Sequence, residues 1–323
     1  MNFPRNVRRA AKAAGVAVTL GLGLGLGLTV AAPAQADPPV GTFTPLVGVC
    51  SDTVEPVLDA LGEGYFSCFG SSGSPIIQTR PAGCRMARPT GSSAAIDALR
   101  KDIDTRAGCL DFAGVARGPI DTSTQDLSWI QFAMDGVTAA VRGDSPLSSH
   151  PFTLMELQRI YTCETTQAAG ITVNPLLPQP GSDARVAWLA ALRLSEVQLG
   201  SCVGGSAPEN NGTVLTSAGH IVPFSISSYL AQTDGPAPDA RGEAVLVPMD
   251  GVEPISGSGT FNTDFPHVRR LYVVVDSARV ENADIKAAFI GPTSKLCDSP
   301  AVIRLHGFGT LSNCGTVAAT GER

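Results

Sequence analysis

Three short stretches carry the residues best suited to holding a ligand. They are Cys50-Ser51-Asp52-Thr53, Thr90-Gly91-Ser92-Ser93 and Gly181-Ser182-Asp183-Ala184-Arg185. Each stands between an apolar, strand-like run and a helix-like run. A helix that starts directly after such a loop has backbone N–H groups with no intrahelical partner, and here hydroxyls lie beside them. Amides and hydroxyls that converge in this way make a site for a small oxyanion or another polar ligand, held without reaction. Each residue alone has a plainer explanation. Ser51, Asp52 and Ser182 would serve as helix N-caps, Arg117 and Arg185 as surface ion pairs, and Asp111 as a strand-end acid tied to nearby backbone. The binding interpretation rests on the loops occurring together.

The elements that must position these loops alternate between strand and helix. Leu46–Cys50 reads as a buried strand, followed by a helix over Val54–Leu61 whose cap is expected within Ser51–Thr53. Pro75–Thr79 reads as a second strand, Ser93–Ile103 as a helix with Ala94, Ala95, Ala98 and Leu99 on one face, and Cys109–Ala113 as a third strand. Such alternation predicts parallel βαβ units, with loops 50–53, 90–93 and 113–117 at the carboxyl ends of strands, where open α/β sheets take ligands. Further on, Trp129–Val141 is rich in strand formers. Thr153–Tyr161 is a helix opening on a capping-box pattern, Thr153 with Glu156. Pro175–Pro180 is extended, and Gly181-Ser182 opens a helix to about Leu194. Gly, Pro, Asn and Asp interrupt residues 203–260, leaving short strands at Ile221–Ile226 and Ala244–Val247. Leu271–Val275 is a buried strand and Ile285–Ile290 a short helix.

The N-terminus reads as an export signal. Arg5, Arg8, Arg9 and Lys12 precede an apolar, Gly- and Leu-rich run, and Ala34-Gln35-Ala36 is a small-residue cleavage pattern. A membrane anchor is the competing assignment for this run. Cleavage after Ala36 leaves 287 of 323 residues, with 19 Lys and Arg against 29 Asp and Glu, a net charge of −10. No cysteine directly follows the cleavage site to take a lipid, so a freely soluble, secreted monomer is expected. A chain this acidic is a poor partner for nucleic acid or anionic membranes, although amides and one arginine can still hold a small anion locally.

Eight cysteines, at 50, 68, 84, 109, 163, 202, 297 and 314, fit four disulfides in an exported chain. The count does not fix the connectivity: local closure favours Cys297 with Cys314 and Cys163 with Cys202, and Cys50 with Cys68 and Cys84 with Cys109 is one choice among those left open. The chain has no C-x-x-C pair, and His150, His220, His267 and His306 are scattered, so neither a metal nor another cofactor is expected. It also lacks a G-x-S-x-G elbow, and at 6% aromatic residues it is poorly equipped for a sugar cleft, so an enzyme is not expected.

Phe43–Thr53, Arg88–Leu99, Leu127–Val141, Phe152–Cys163, Pro178–Ala191 and Gly212–Ala231 together resemble the PstS-like phosphate-binding proteins, in particular an exported, actinobacterial-type branch. The resemblance implies an α/β, two-lobed type II periplasmic-binding-protein fold, closing on its ligand at an interlobe cleft. It places lobe 1 at 37–130 plus 270–323 and lobe 2 at 131–269. It implies phosphate as the ligand and an ABC transporter as the partner. Position by position, the ligand set falls on Ser51, Asp52, Thr53, Gly91, Ser92, Ser93, Ser182, Asp183 and Arg185. Two departures stand out. The family's Ser-Gly-Thr is here Ser182-Asp183-Ala184, which replaces Gly by an acid and loses the Thr hydroxyl; a carboxylate there costs anion affinity unless it faces away. The family's Ser-Asp after the third strand is missing from Phe112–Arg117, though Arg117 could supply a charged, two-pronged contact instead. A fold that keeps its shape but has lost anion binding, as a secreted interaction protein, is the alternative.

Overall fold

Leu46–Cys50 (β1) is buried at every residue, as a strand covered on both faces must be. In the computed structural model, which describes residues 43–70 and 73–322, it pairs in parallel with Phe66–Phe69 (β2) and with Phe112–Val115. Glu55–Gly62 (α1) links the first two strands. Its expected side-chain cap does not form: the Ser51 carbonyl takes the N–H groups of Val54 and Glu55 instead. The Pro75–Thr79 stretch gives Ile76–Gln78 (β3). That strand pairs only with Arg85–Ala87 (β4) in a separate hairpin, so β2, and not this strand, adjoins β1.

Gly91–Thr105 (α2) begins two residues before the expected start. Phe112–Val115 (β5) begins three residues later than expected, because Cys109 is held back by its bridge to Cys84 and by its N–H on Asp102. Leu127–Arg142 (β6) runs for 16 residues. Leu154–Tyr161 (α3) carries half of its capping box: Thr153 accepts the Glu156 N–H, but the Glu156 carboxylate turns to His150.

Gln167–Ala168 (β7) and Ile171–Thr172 (β8) form a small hairpin, and Asn174–Pro178 (β9) follows. Asp183–Leu192 (α4) stops two residues short of expectation, at a left-handed Arg193. Then come Gly204–Ala207 (β10), His220–Ser225 (β11), Ile226–Thr233 (α5) and Ala244–Leu246 (β12). The chain ends with Val268–Asp276 (β13), Ala283–Phe289 (α6), Pro300–Leu305 (α7), Gly309–Thr310 (β14) and Thr316–Thr320 (β15).

The main sheet runs β10-β9-β11-β6-β13-β5-β1-β2, with β12, β14 and β15 beside β6. Strand β6 belongs to both halves: residues 127–136 pair with β13, and residues 137–141 with β11. On each side of this shared strand the sheet is covered on both faces. In the first half, Leu46, Cys50, Phe66 and Phe112 pack under α1, α6 and α7, while Val47, Val49, Ala113 and Val115 pack under α2. In the second, Val137, Ala139 and Val141 meet Leu157, Ile160 and Trp188 of α3 and α4, and Ala140, Val222 and Phe224 form a smaller cluster on the opposite face. The alternation along β1 and β6 is the period-two pattern of a pleated strand with two apolar faces.

All eight cysteines are paired, Cys50–Cys68, Cys84–Cys109, Cys163–Cys202 and Cys297–Cys314. The export signal at 1–36 lies outside the described residues. No helix among the described residues is long and apolar enough to cross a membrane.

Candidate ligand-binding cleft

The loop after β1 is pinned by the Ser51 N–H on the Gly114 carbonyl, 2.9 Å away at the end of β5. Ser51 is fully buried and Thr53 5% exposed, yet neither hydroxyl has a hydrogen-bond partner. Native interiors leave few polar groups unpaired, at a cost of about 1–3 kcal/mol each, so two unpaired hydroxyls in one loop are costly to keep. Asp52 and Thr53 line a cavity of about 480 Å³ together with Glu209, Gln232 and Phe308.

The second loop approaches from the start of α2. Gly91 holds φ +76°, and a Cβ there would lie 2.5 Å from the Gly181 carbonyl oxygen. That close approach brings the 90–93 and 181–185 loops together and requires glycine. The Ser92 N–H donates to Asp183 Oδ1 across 3.2 Å, and the Ser92 hydroxyl accepts from Ala116 N–H at 2.9 Å. Ser93 is exposed and takes a bond from Arg117.

The third loop starts α4. Ser182 caps the helix by accepting the Arg185 N–H. Asp183 follows, 4% exposed, with Oδ2 unpartnered. The next amide, Ala184 N–H, donates to Glu209 Oε1 at 2.6 Å. Both helix N-termini are therefore occupied by carboxylates of the chain itself, Asp183 on α2 and Glu209 on α4. Burial and the nearby Asp183 charge push the Glu209 carboxyl up to about 8, against the lowering effect of the Ala184 amide and Arg269.

Neither arginine singled out from the sequence is free for an anion. Arg185 is 8% exposed and committed to Glu196 and to the Pro178 carbonyl. Arg117 is bonded to Glu322 and to the Gly118 carbonyl, and lies 5.8 Å over the Trp129 ring. A different arginine stands at the cleft. Arg269, at the start of β13, donates to the Asp183 carbonyl at 2.8 Å and to Asp135 Oδ2 at 2.8 Å. Asp135 is fully buried and is further satisfied by Ser225 and Ser227. Arg117, Asp183, His267 and Arg269 line a second cavity of about 310 Å³.

Glu209, Arg269 and Asp135 were not foreseen. Asp135 had a signal, a lone acid in the apolar run Phe132-Ala-Met-Asp-Gly136, as did the Arg269-Arg270 pair opening an apolar strand. Glu209 had none: Pro208-Glu-Asn-Asn211 reads as an ordinary turn. Among the described residues no group of three or more His, Cys, Asp or Glu is placed to hold a metal.

No protein-family model matches the chain, and no curated protein matches it by sequence. Solved structures do match. An ABC-type phosphate transport receptor from Vibrio cholerae superposes with a TM-score of 0.58 at 15% identity, covering 82% of this chain and 100% of that one. A putative phosphate ABC transporter substrate-binding protein with bound phosphate from Clostridium perfringens gives 0.55 at 15% identity, covering 82% and 100%. A phosphate-binding protein from Stenotrophomonas maltophilia gives 0.51 at 13% identity, covering 83% and 91%. Likeness at this level of identity establishes architecture, and the architecture is a two-lobed type II periplasmic-binding-protein fold with an interlobe cleft, the fold of PstS-like proteins.

Proposed function

We propose that this chain is an exported solute-binding protein that takes a small polar solute between its lobes, without turnover, and passes it to an ABC-type transporter. The observation that carries this is the set of buried polar oxygens with no partner, Ser51 Oγ and Thr53 Oγ1 in the loop after β1 and Asp183 Oδ2 at the start of α4. Phosphate is the solute that the family resemblance implies, and the phosphate-binding proteins that share the fold support it. For phosphate to enter, Asp183 must leave the Ser92 amide, because a carboxylate and a divalent anion cannot share one donor without strong repulsion. The same carboxylate supports a second reading, a secreted interaction protein that keeps the fold with the cleft filled by its own side chain.

Calorimetry of residues 37–323 against phosphate, sulfate, organic anions and organic cations decides between them. Binding of any one solute that weakens when Thr53 or Ser92 is replaced by alanine is the expected result. No binding by any solute, either to the native chain or to Asp183→Gly, would leave the interaction protein as the better account.

A further inference from the structure

Asp183 is not needed by the helix it opens. Ser182 caps α4 by accepting the Arg185 N–H, and Glu209 takes the Ala184 N–H from the turn after β10. The Asp183 carboxylate reaches instead to α2, in the other half of the sheet, where Oδ1 accepts the Ser92 N–H at 3.2 Å. That amide is one of the first four of α2, which have no partner inside the helix, and the positive end of the helix dipole favours a negative charge there. The Ser92 loop is fixed to its own half, because the Ser92 hydroxyl accepts the Ala116 N–H just after β5. Beside this bond the two loops touch backbone to backbone: a Cβ on Gly91 would stand 2.5 Å from the Gly181 carbonyl oxygen. Asp183 is buried, and Arg269 donates to its carbonyl at 2.8 Å, which steadies the residue from β13.

We infer that Asp183 is a built-in latch: in the unliganded protein its carboxylate stands in for an anion at the start of α2 and holds the two lobes together. The inference goes beyond the solute-binding reading and does not depend on which solute binds. The contact is balanced so that it can open. A carboxylate on a helix N-terminus favours closure. Against it, Asp183 Oδ2 is buried with no partner, at a cost that opening returns, because water then reaches that oxygen. A solute that needs the Ser92 N–H has to displace Asp183 first. Its apparent affinity is therefore reduced by the fraction of molecules already latched. The latch is a side chain of lobe 2 on a backbone donor of lobe 1, so a single substitution removes it and leaves both helices capped as before.

The test is amide hydrogen exchange with solution scattering on the disulfide-intact protein and Asp183→Ala. The Ser92 amide has no partner inside its helix, so its protection reports this contact alone. In Asp183→Ala, Ser92 should exchange roughly tenfold or more faster, Leu99 in the middle of α2 should not change, and the radius of gyration should rise. Formate, the carboxyl group that the substitution removes, should slow Ser92 exchange again and restore the smaller radius, and methylammonium should do neither. Asp183→Asn keeps the shape and an acceptor oxygen without the charge. It is the second variant should alanine impair folding: Ser92 exchange should rise by a smaller factor, and formate should have no effect. Unchanged Ser92 exchange in both variants would overturn the inference. So would faster exchange with an unchanged radius, which would show a hydrogen bond and no latch, or an equal rise at Leu99, which would show general loosening. None of these outcomes bears on solute binding, which the calorimetry above decides separately.

Discussion

Replacing Glu209 by Gln should remove a pH dependence that the native fold builds in. The group stands at 4.5 ordinarily and at about 8 in the folded chain, driven by burial and then by Asp183. The folded state thus binds this proton more tightly than the unfolded state. Its stabilising contribution is complete below the unfolded value and is lost as pH rises through the folded one. Between the two values, stability falls by about 1.4 kcal/mol per pH unit. Integrated from about pH 6 to about pH 9, this one carboxyl removes roughly 3 kcal/mol, an upper figure because Glu209 keeps some exposure to the cavity. Glutamine preserves the acceptor for the Ala184 N–H, so the substitution removes the charge and little else. Urea unfolding of the disulfide-intact protein at a series of pH values measures the effect directly. The native chain should weaken steeply toward alkaline pH and Glu209→Gln much less so. Glu55, pushed up to about 7 chiefly by burial, adds a loss of the same sign that ends at lower pH, in both proteins. Identical slopes in the two would mean that Glu209 titrates as an ordinary exposed acid, and the proposed contact with Asp183 and α4 would be wrong.

Other substitutions probe the scaffold. Arg269→Met strands the fully buried Asp135 without its counter-charge, and denaturation should show a loss of about 3–5 kcal/mol. Gly91→Ala forces a Cβ against the Gly181 carbonyl at an unfavourable φ, so stability should drop and the lobes should separate, the latter seen as a larger radius of gyration in solution scattering. Phe112→Ala opens a hole among Phe66 and Phe289, whose ring centroids lie 5.8 and 4.9 Å away, and should cost roughly 3–5 kcal/mol. Loss of Cys163–Cys202, which spans 39 residues, should cost about 4 kcal/mol in the chain-entropy estimate, and thiol titration of the unreduced native chain should find no free thiol.

Much of the fold was legible in the residues. The apolar run at β1, the run of strand formers at β6, the Thr153 cap on α3 and the Ser182 cap on α4 are local signals, and all appear where the sequence placed them, within a few residues. The cysteine count implied four bridges, and local closure pointed to Cys163–Cys202 and Cys297–Cys314; both form, and the other four cysteines pair as Cys50–Cys68 and Cys84–Cys109, which spacing did not decide. The three Ser/Thr/Gly loops were identified as neighbours of one cleft, and Gly91, Ser92 and Asp183 do meet. What the sequence by itself could not determine was direction and charge partnership. Whether Asp183 faces the cleft depends on how α4 packs against α2, a contact between residues 91 positions apart. Arg185 and Arg117 are cations in the right neighbourhood, but acids at 196 and 322 claim them, and only the folded chain brings those acids near. Arg269, Asp135 and Glu209 come from three distant segments, and no spacing rule links them. Local propensity is set by neighbours in the chain. The electrostatics of a cleft is set by neighbours in space, and here it turned an anion-type arrangement of helix ends into one already filled by the protein's own carboxylates.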